Sequence, residues 1–350
     1  MSEATVILKP EELQPAGELA RKTLEQLDHI LLGRQELHRL VLIGILARGH
    51  VLLEGLPGLG KTALVRTIGQ IFQLEFKRIQ FTPDLMPGDV LGTHILQETG
   101  AGRRELVFQP GPVFTNILLA DEINRASPKT QSAMLETMQE HCVTLLGTTR
   151  PLPEPFFVLA SQNPIELEGT YPLPEAQLDR FLFRLIFDNV DTGVLEQILT
   201  ERRRGELPAP TWRMERGELE TLFQTMGRIH LPRPVARYIA RLVSATHPGA
   251  AEATEPVNRY VSYGASPRAA IAMAESARAL ALIAGRPSVG FEDVKTVAAP
   301  VLNHRLILNY QARFDRLTAA KLVAELIGQL DETGLNLPKD VELASSQPEG

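Results

Sequence analysis

Cysteine is almost missing from this chain, which holds a single one, Cys142, in 350 residues. One thiol excludes an intrachain disulfide and any cysteine-rich metal site, and it fits a reducing compartment, with the cytoplasm as the default. The eight histidines are scattered, and none stands in a metal-ligand spacing. A basic surplus is missing too. Lys and Arg number 36 against 42 Asp and Glu, a formal net charge of −6, so nucleic acid is an unlikely partner, although local basic patches remain open. No apolar run approaches the ~20 residues that a membrane span needs. Met1 to Gln14 carries Glu3, Glu11 and Glu12 and lacks a basic start followed by a long apolar stretch, so it does not read as a signal peptide. Repeats and low-complexity blocks are absent. What remains is a globular composition, 44% hydrophobic and 22% charged, with length for about two domains.

The rest of the chain is organised around His50-Val51-Leu52-Leu53-Glu54-Gly55-Leu56-Pro57-Gly58-Leu59-Gly60-Lys61-Thr62. A short apolar strand runs into a glycine-rich turn spaced Gly, four residues, Gly-Lys-Thr, and a helical pattern follows. Glycines let the backbone aim several N–H groups at one point, and the helix adds the positive end of its dipole. This is a phosphate cradle. Lys61 is placed to reach the β- and γ-phosphates of a nucleotide, and the Thr62 hydroxyl to bind Mg²⁺. The expected binding set is Gly55, Pro57, Gly58, Leu59, Gly60, Lys61, Thr62 and Ala63.

Two carboxylates supply the second signal. Asn116-Ile117-Leu118-Leu119-Ala120 reads as a buried strand, with Asp121-Glu122 at its C-terminal end, where ligands bind in open α/β sheets. Asp121 would hold Mg²⁺ through its water shell, and Glu122 would polarise an attacking water. A third buried run, Phe156 to Ala160, ends in Ser161-Gln162-Asn163, and the Asn163 amide suits a water lined up on a γ-phosphate. Leu178-Asp179-Arg180-Phe181 precedes a last strand, Leu182 to Phe187. Arg180 beside Asp179 reads either as a surface ion pair or as a guanidinium presented to the nucleotide of a neighbouring subunit.

Helical spacing covers Pro15 to Ala47, broken at Leu32-Gly33-Arg34; Ile30 to Gly33 either form a plain helix corner or, as the resemblance to P-loop proteins named below implies, flank the adenine. Thr82 to Gly92 is too polar and proline-broken for one clean element, while Thr93 to Leu106 alternates around Gly100-Ala101-Gly102 as a hairpin with Arg103 and Arg104 at its tip. That tip is a substrate contact or a solvated loop. Beyond Asp188 the pattern turns helical. Asp191 to Arg204 ends in three arginines that read as a solvated helix end, and five further helices are expected at 218–226, 233–245, 267–284, 291–302 and 317–330. The polar residues from Pro338 onward read as frayed.

With these residues in place, the chain resembles the AAA+ ATPases and, among them, the MoxR family. The resemblance spans roughly Gly33 to Arg305. It rests on Gly49 to Gly55 entering the cradle, Gln80-Phe81-Thr82-Pro83-Asp84-Leu85-Met86-Pro87, Gly111-Pro112-Val113-Phe114, Asp121 to Gln131, Gln162-Asn163-Pro164, and Tyr171 to Phe181. One departure is Ser161, where the family usually has threonine. The resemblance implies Asn163 as sensor 1, Arg180 as arginine finger and Arg268 as sensor 2, at a helix start that Ser266 can cap and Pro267 initiate. It also implies helix-2 and pre-sensor hairpins near 93–107 and 142–153, Arg125 facing an adjoining subunit, and a lid that closes over the nucleotide. Further implications are adenine preference, hexameric rings, a chaperone role on protein clients, and a partner with a von Willebrand factor A domain. No guanine-reading Asn-Lys-x-Asp occurs.

The expected fold is therefore α/β: a P-loop NTPase of the AAA+ type, with a parallel five-stranded αβα sandwich over 1–189 followed by a small all-α lid domain over 190–350. The expected activity is ATP hydrolysis with ATP and Mg²⁺, coupled to remodelling of protein complexes in a homo-oligomer. The alternatives are a DNA-stimulated motor or a nucleotide-gated binding module.

Overall fold

The computed structural model describes residues 7–99, 103–164, 169–202 and 205–332. Two helices open the chain, α1 (Pro10–Ile30) and α2 (Gln35–Leu46), with α1 starting five residues before the apolar periodicity does. Then come β1 (Val51–Glu54), α3 (Lys61–Phe72), β2 (Phe76–Gln80), α4 (Pro87–Leu91), the hairpin β3 (Gly92–Thr99) and β4 (Arg103–Pro110), and β5 (Ile117–Asp121). After α5 (Pro128–Glu140) follow the hairpin β6 (Cys142–Leu145) and β7 (Thr148–Pro151), β8 (Phe157–Gln162), α6 (Glu175–Leu178) and β9 (Phe183–Ile186). The hairpin tip at 100–102 lies outside the described residues.

The five strands β1, β2, β5, β8 and β9 form one parallel sheet in the order β2-β5-β8-β1-β9. Their apolar runs are continuous because helices cover both faces. Leu53, Leu119 and Leu159 pack with α1, α2 and α3 on one side. Leu52, Leu118 and Val158 pack with α5 on the other. Crossovers that return every strand in the same direction place all C-terminal strand ends, and the cradle with them, along one edge.

The remaining elements are α7 (Thr192–Glu201), α8 (Arg216–Gly227), α9 (Arg233–Ala245), α10 (Glu255–Tyr260), β10 (Val261–Tyr263), α11 (Pro267–Ile283), α12 (Phe291–Leu302), β11 (Ile307–Leu308), α13 (Tyr310–Phe314) and α14 (Ala319–Gln329). The five helices expected by periodicity are present. α4, α10, α13 and the β10–β11 pair, two to six residues each, are too short to generate a period. α11 begins as expected, with Ser266 Oγ accepting from Arg268 N at 3.2 Å and Pro267 in the first turn. Its buried alanines and Leu280 join the same core as α1 and α2. No described helix is long and apolar enough to cross a membrane.

Two buried histidines tie the layers. His50 Nδ1 accepts from Val158 N at 3.0 Å, and its Nε2 donates to Met138 O at 2.9 Å. His304 Nε2 donates to Phe181 O at 3.0 Å. Burial pushes His50 down to about 4, against the pull of the Met138 carbonyl; burial and then Arg305 push His304 down to about 3. Both are neutral when folded, whereas the unfolded chain protonates them near pH 6.5. Their stabilisation is therefore complete above pH 6.5 and is lost as pH falls towards 4, at ~1.4 kcal/mol per pH unit for each ring. Denaturant unfolding at pH 7.5, 6 and 5 is expected to show that decline, with a shallower slope in His304→Gln; equal slopes would exclude this ring as a source.

Candidate nucleotide site

The cradle leaves the end of β1 and delivers Lys61 as the first residue of α3. Gly58 and Gly60 have φ of 80° and 100°, a region that other residues enter at a cost. A methyl group on either would meet nothing within 4 Å, so the loop encloses open space where backbone N–H groups and the helix N-terminus favour an anion. Gly55 is required for a different reason: a Cβ there would fall 2.3 Å from the Phe187 carbonyl oxygen.

Lys61 is 9% exposed and donates to Gly55 O at 2.5 Å. Burial lowers its pKa, and Asp121, Glu122 and Glu54 act in the opposite direction. The cradle lysine and the acid pair thus lie within electrostatic reach at one sheet edge. Asp121 Oδ1 accepts from Ser161 Oγ at 2.5 Å and its Oδ2 from Arg78 at 2.5 Å. Glu122 takes the left-handed conformation, φ 56° and ψ 48°, which costs a non-glycine residue ~1–2 kcal/mol. Its N–H donates to Ser161 Oγ at 3.0 Å, and its Oε2 accepts from Gln80 Nε2 at 2.7 Å and Arg125 Nη1 at 2.9 Å. Ser161 therefore links both acids through its hydroxyl alone, and a threonine could do the same. Asn163 is buried one residue beyond β8. The register Ala120↔Ala160 sets it on the same edge as Asp121.

Beside the cradle opens a cavity of about 550 Å³, bounded by Gly58, Gly60, Leu31, Leu32, Phe187 and Ile198. Thr62 and Ala63, on the first turn of α3, are half-buried, and Ala63 also lines the cavity. The helix corner expected to flank the base is here, but shifted in register. Ile30 is 1% exposed and belongs to the core, and Gly33 is pressed against α7, where a methyl group would lie 2.6 Å from Val194. Leu31, Leu32 and Arg34 are the residues that line the space. Arg34 lies 3.9 Å over the Phe187 ring and donates to Leu59 O and Asp188 O at 2.7 Å each, bracing the cradle against the exit of β9. The reading of the arginine run as a solvated helix end fails at Arg202, which donates to Ile30 O and, at 2.9 Å, to His29 O. These carbonyls are left open where α1 ends. Arg203 and Arg204 lie outside the described residues.

Arg180 and Arg268 are elsewhere. Both line a second cavity of about 260 Å³ that also touches Gly49 and His50, at the N-terminal end of β1. Val51 pairs with Phe183 and Leu182 N donates to His50 O, so Arg180 stands a full strand, about 13 Å, from its own cradle. The expected Asp179 partnership goes to other arginines. Arg305 Nε reaches Asp179 Oδ1 at 2.8 Å, Ser266 Oγ donates to Oδ2 at 2.8 Å, and Arg268 approaches at 3.7 Å. Among the described residues Arg180 makes no ion pair, and its Nε has no hydrogen-bond partner. The sequence alone assigns no role to Arg34, Phe187, Gln80 or Arg78, because each acts through tertiary contacts: Gln80 and Arg78 reach the acid pair across the β2–β5 pairing, and Arg34 reaches Leu59, Phe187 and Asp188 from the α1–α2 corner.

Comparison with known proteins places this geometry. Residues 50–183 match the model of the ATPase family associated with various cellular activities (AAA), and residues 254–326 match the AAA lid domain. Chaperone MoxR1 of Mycobacterium tuberculosis is 42% identical over 298 residues, 85% of this chain and 78% of that protein. Protein MoxR of Methylorubrum extorquens is 31% identical over 87% of this chain and 91% of its own. The crystal structure of a candidate ATPase from Cytophaga hutchinsonii superposes with a TM-score of 0.81 at 38% identity, covering 92% of this chain and 97% of that one.

Proposed function

Since the chain belongs to the MoxR family of AAA+ ATPases, with their chaperone-like role, we propose that it hydrolyses ATP to remodel, mature or activate protein complexes, as a ring whose active sites are shared between neighbouring copies. One observation carries this reading: Lys61, Asp121 and Glu122 gather at one sheet edge, while Arg180 and Arg268 stand together at the other. An arginine there cannot serve its own cradle, and among the described residues Arg180 makes no ion pair.

In this reading the cradle and Lys61 hold the phosphates, and the base enters the cavity under α7. Glu122 polarises the attacking water once Gln80 and Arg125 release its carboxylate, and Asn163 helps to orient that water. Arg180 and Arg268 of the adjoining copy meet the charge that grows on the γ-phosphate. The hydroxyl of Thr62 and the carboxylate of Asp121 suit Mg²⁺, which when bound would draw charge from the β- and γ-phosphates. The division of the chain near 189/190 places the cradle in one domain and α7 with the lid in the other. The cytoplasm, a hexameric ring and a partner with a von Willebrand factor A domain complete the proposal.

The coupling to clients is tested by affinity recovery of the Glu122→Gln protein with its bound partners. Proteins retained with ATP and released without it are the expected result. Turnover raised severalfold by DNA, with binding that weakens steeply with salt, would instead favour a nucleic-acid motor.

A further inference from the structure

α7 is a helix without an interior. None of its ten residues is buried, although Val194, Leu195, Ile198 and Leu199 form an apolar stripe. The stripe's inner edge roofs the base cavity through Leu195 and Ile198, but Leu199 is 81% exposed. A helix this short does not hold in water on propensity alone.

A second uncovered surface lies on the lid. Tyr310 and Phe314, four apart on α13 and so on one face, are 85% and 87% exposed. Tyr263 is exposed nearby, on β10, which pairs with β11 just ahead of α13. Aromatic side chains of this kind are the usual anchors of protein contacts. Charge runs in opposite senses on the two surfaces. α7 and its N-cap carry Asp191, Glu196 and Glu201, and the C-cap arginine, Arg202, is turned away onto the His29 and Ile30 carbonyls. α13 and the residues after it carry Arg313 and Arg316, which make no ion pair among the described residues, while Asp315 is taken by Tyr260 at 2.8 Å and approached by Arg259 at 3.9 Å.

Position decides the occupant. Asp179 anchors Ser266 and Arg305, so the segments leading to Tyr263 and Tyr310 hang from the same point as Arg268. Any copy that receives these arginines at its cradle presents its α7 beside them. We infer that Tyr310 and Phe314 of one copy clasp Leu195 and Leu199 of the next, with Arg313 facing Glu196, so that each base cavity is roofed by α7 and held shut from outside by a neighbour's lid. This inference rests on the shared-site ring proposed above, and a second copy of the chain is the only occupant that brings both surfaces together.

Cross-linking in the full chain tests the clasp. In a Cys142→Ser background, Leu199→Cys and Phe314→Cys combined in one chain are expected to give a ladder of covalent oligomers under a short bismaleimide with a non-hydrolysable ATP analogue. The two single variants mixed should stop at dimers, and each alone should give none. Assembled protein that yields no cross-link would overturn the clasp and leave the ring intact, whereas protein that stays monomeric at every nucleotide concentration would remove the ring itself. As a second measure, Tyr310→Ser with Phe314→Ser is expected to raise the ATP concentration for half-maximal assembly about tenfold, with an unchanged melting temperature. Native assembly joined to lost client retention would assign the patch to clients and overturn the inference.

Discussion

Glu122→Gln is expected to bind ATP as the native chain does and to lose turnover by about 10² to 10⁴ fold, the contribution of a positioned general base. The substitution removes one ionisable oxygen and keeps the shape. The new amide can still meet Gln80, although it exchanges an ion pair with Arg125 for a weaker neutral contact. Binding is not at stake, because Gly58, Gly60 and Lys61 form the cradle without help from the Glu122 side chain. The measurement is single-turnover hydrolysis beside equilibrium binding of a fluorescent ATP analogue. Residual turnover near the native rate would give the base role to another group.

Arg180→Ala is expected to cost about 10³ fold in turnover, the lower range for an arginine that meets developing phosphoryl charge. The fold should be indifferent to it. The guanidinium makes no described ion pair, and Asp179 keeps Arg305, Ser266 and Arg268, so the melting temperature should move by no more than ~1 °C. A purely structural Arg180 would show the reverse pattern, with stability lost and turnover per folded ring preserved. The assay therefore pairs assembled-protein turnover with calorimetry. The same substitution in dilute, unassembled protein should change little, since no neighbour is present to lend the residue.

The sequence made some of this legible and not the rest, for physical reasons. β1, β5 and β8 could be read because a strand covered on both faces must be apolar throughout, and the β3–β4 hairpin because alternation about a glycine turn is local, whereas the β6–β7 hairpin was implied only by the resemblance. The cradle was legible because its chemistry needs those residue types at that spacing. The MoxR resemblance and the five-stranded αβα sheet are met by the comparisons and the topology. α10, α13 and the β10–β11 pair were missed, since two to six residues generate no period. Arg202 was misread because the carbonyls that hold it, at His29 and Ile30, come from a helix end 172 residues earlier. Glu122 in the left-handed region left no trace in composition. The separation of Arg180 and Arg268 from Lys61 depends on Val51 pairing with Phe183, a register that no motif states.

The central claim is that each active site is built from two copies, and a mixing experiment reaches it most directly. Glu122→Gln and Arg180→Ala protein, each inactive alone, are combined one to one and allowed to exchange subunits before turnover is measured. The account predicts recovery to about a quarter of native turnover, the share of random head-to-tail interfaces that pair an intact Glu122 with an intact neighbouring Arg180. A mixture as inactive as its two components, in rings shown to contain both, would contradict it.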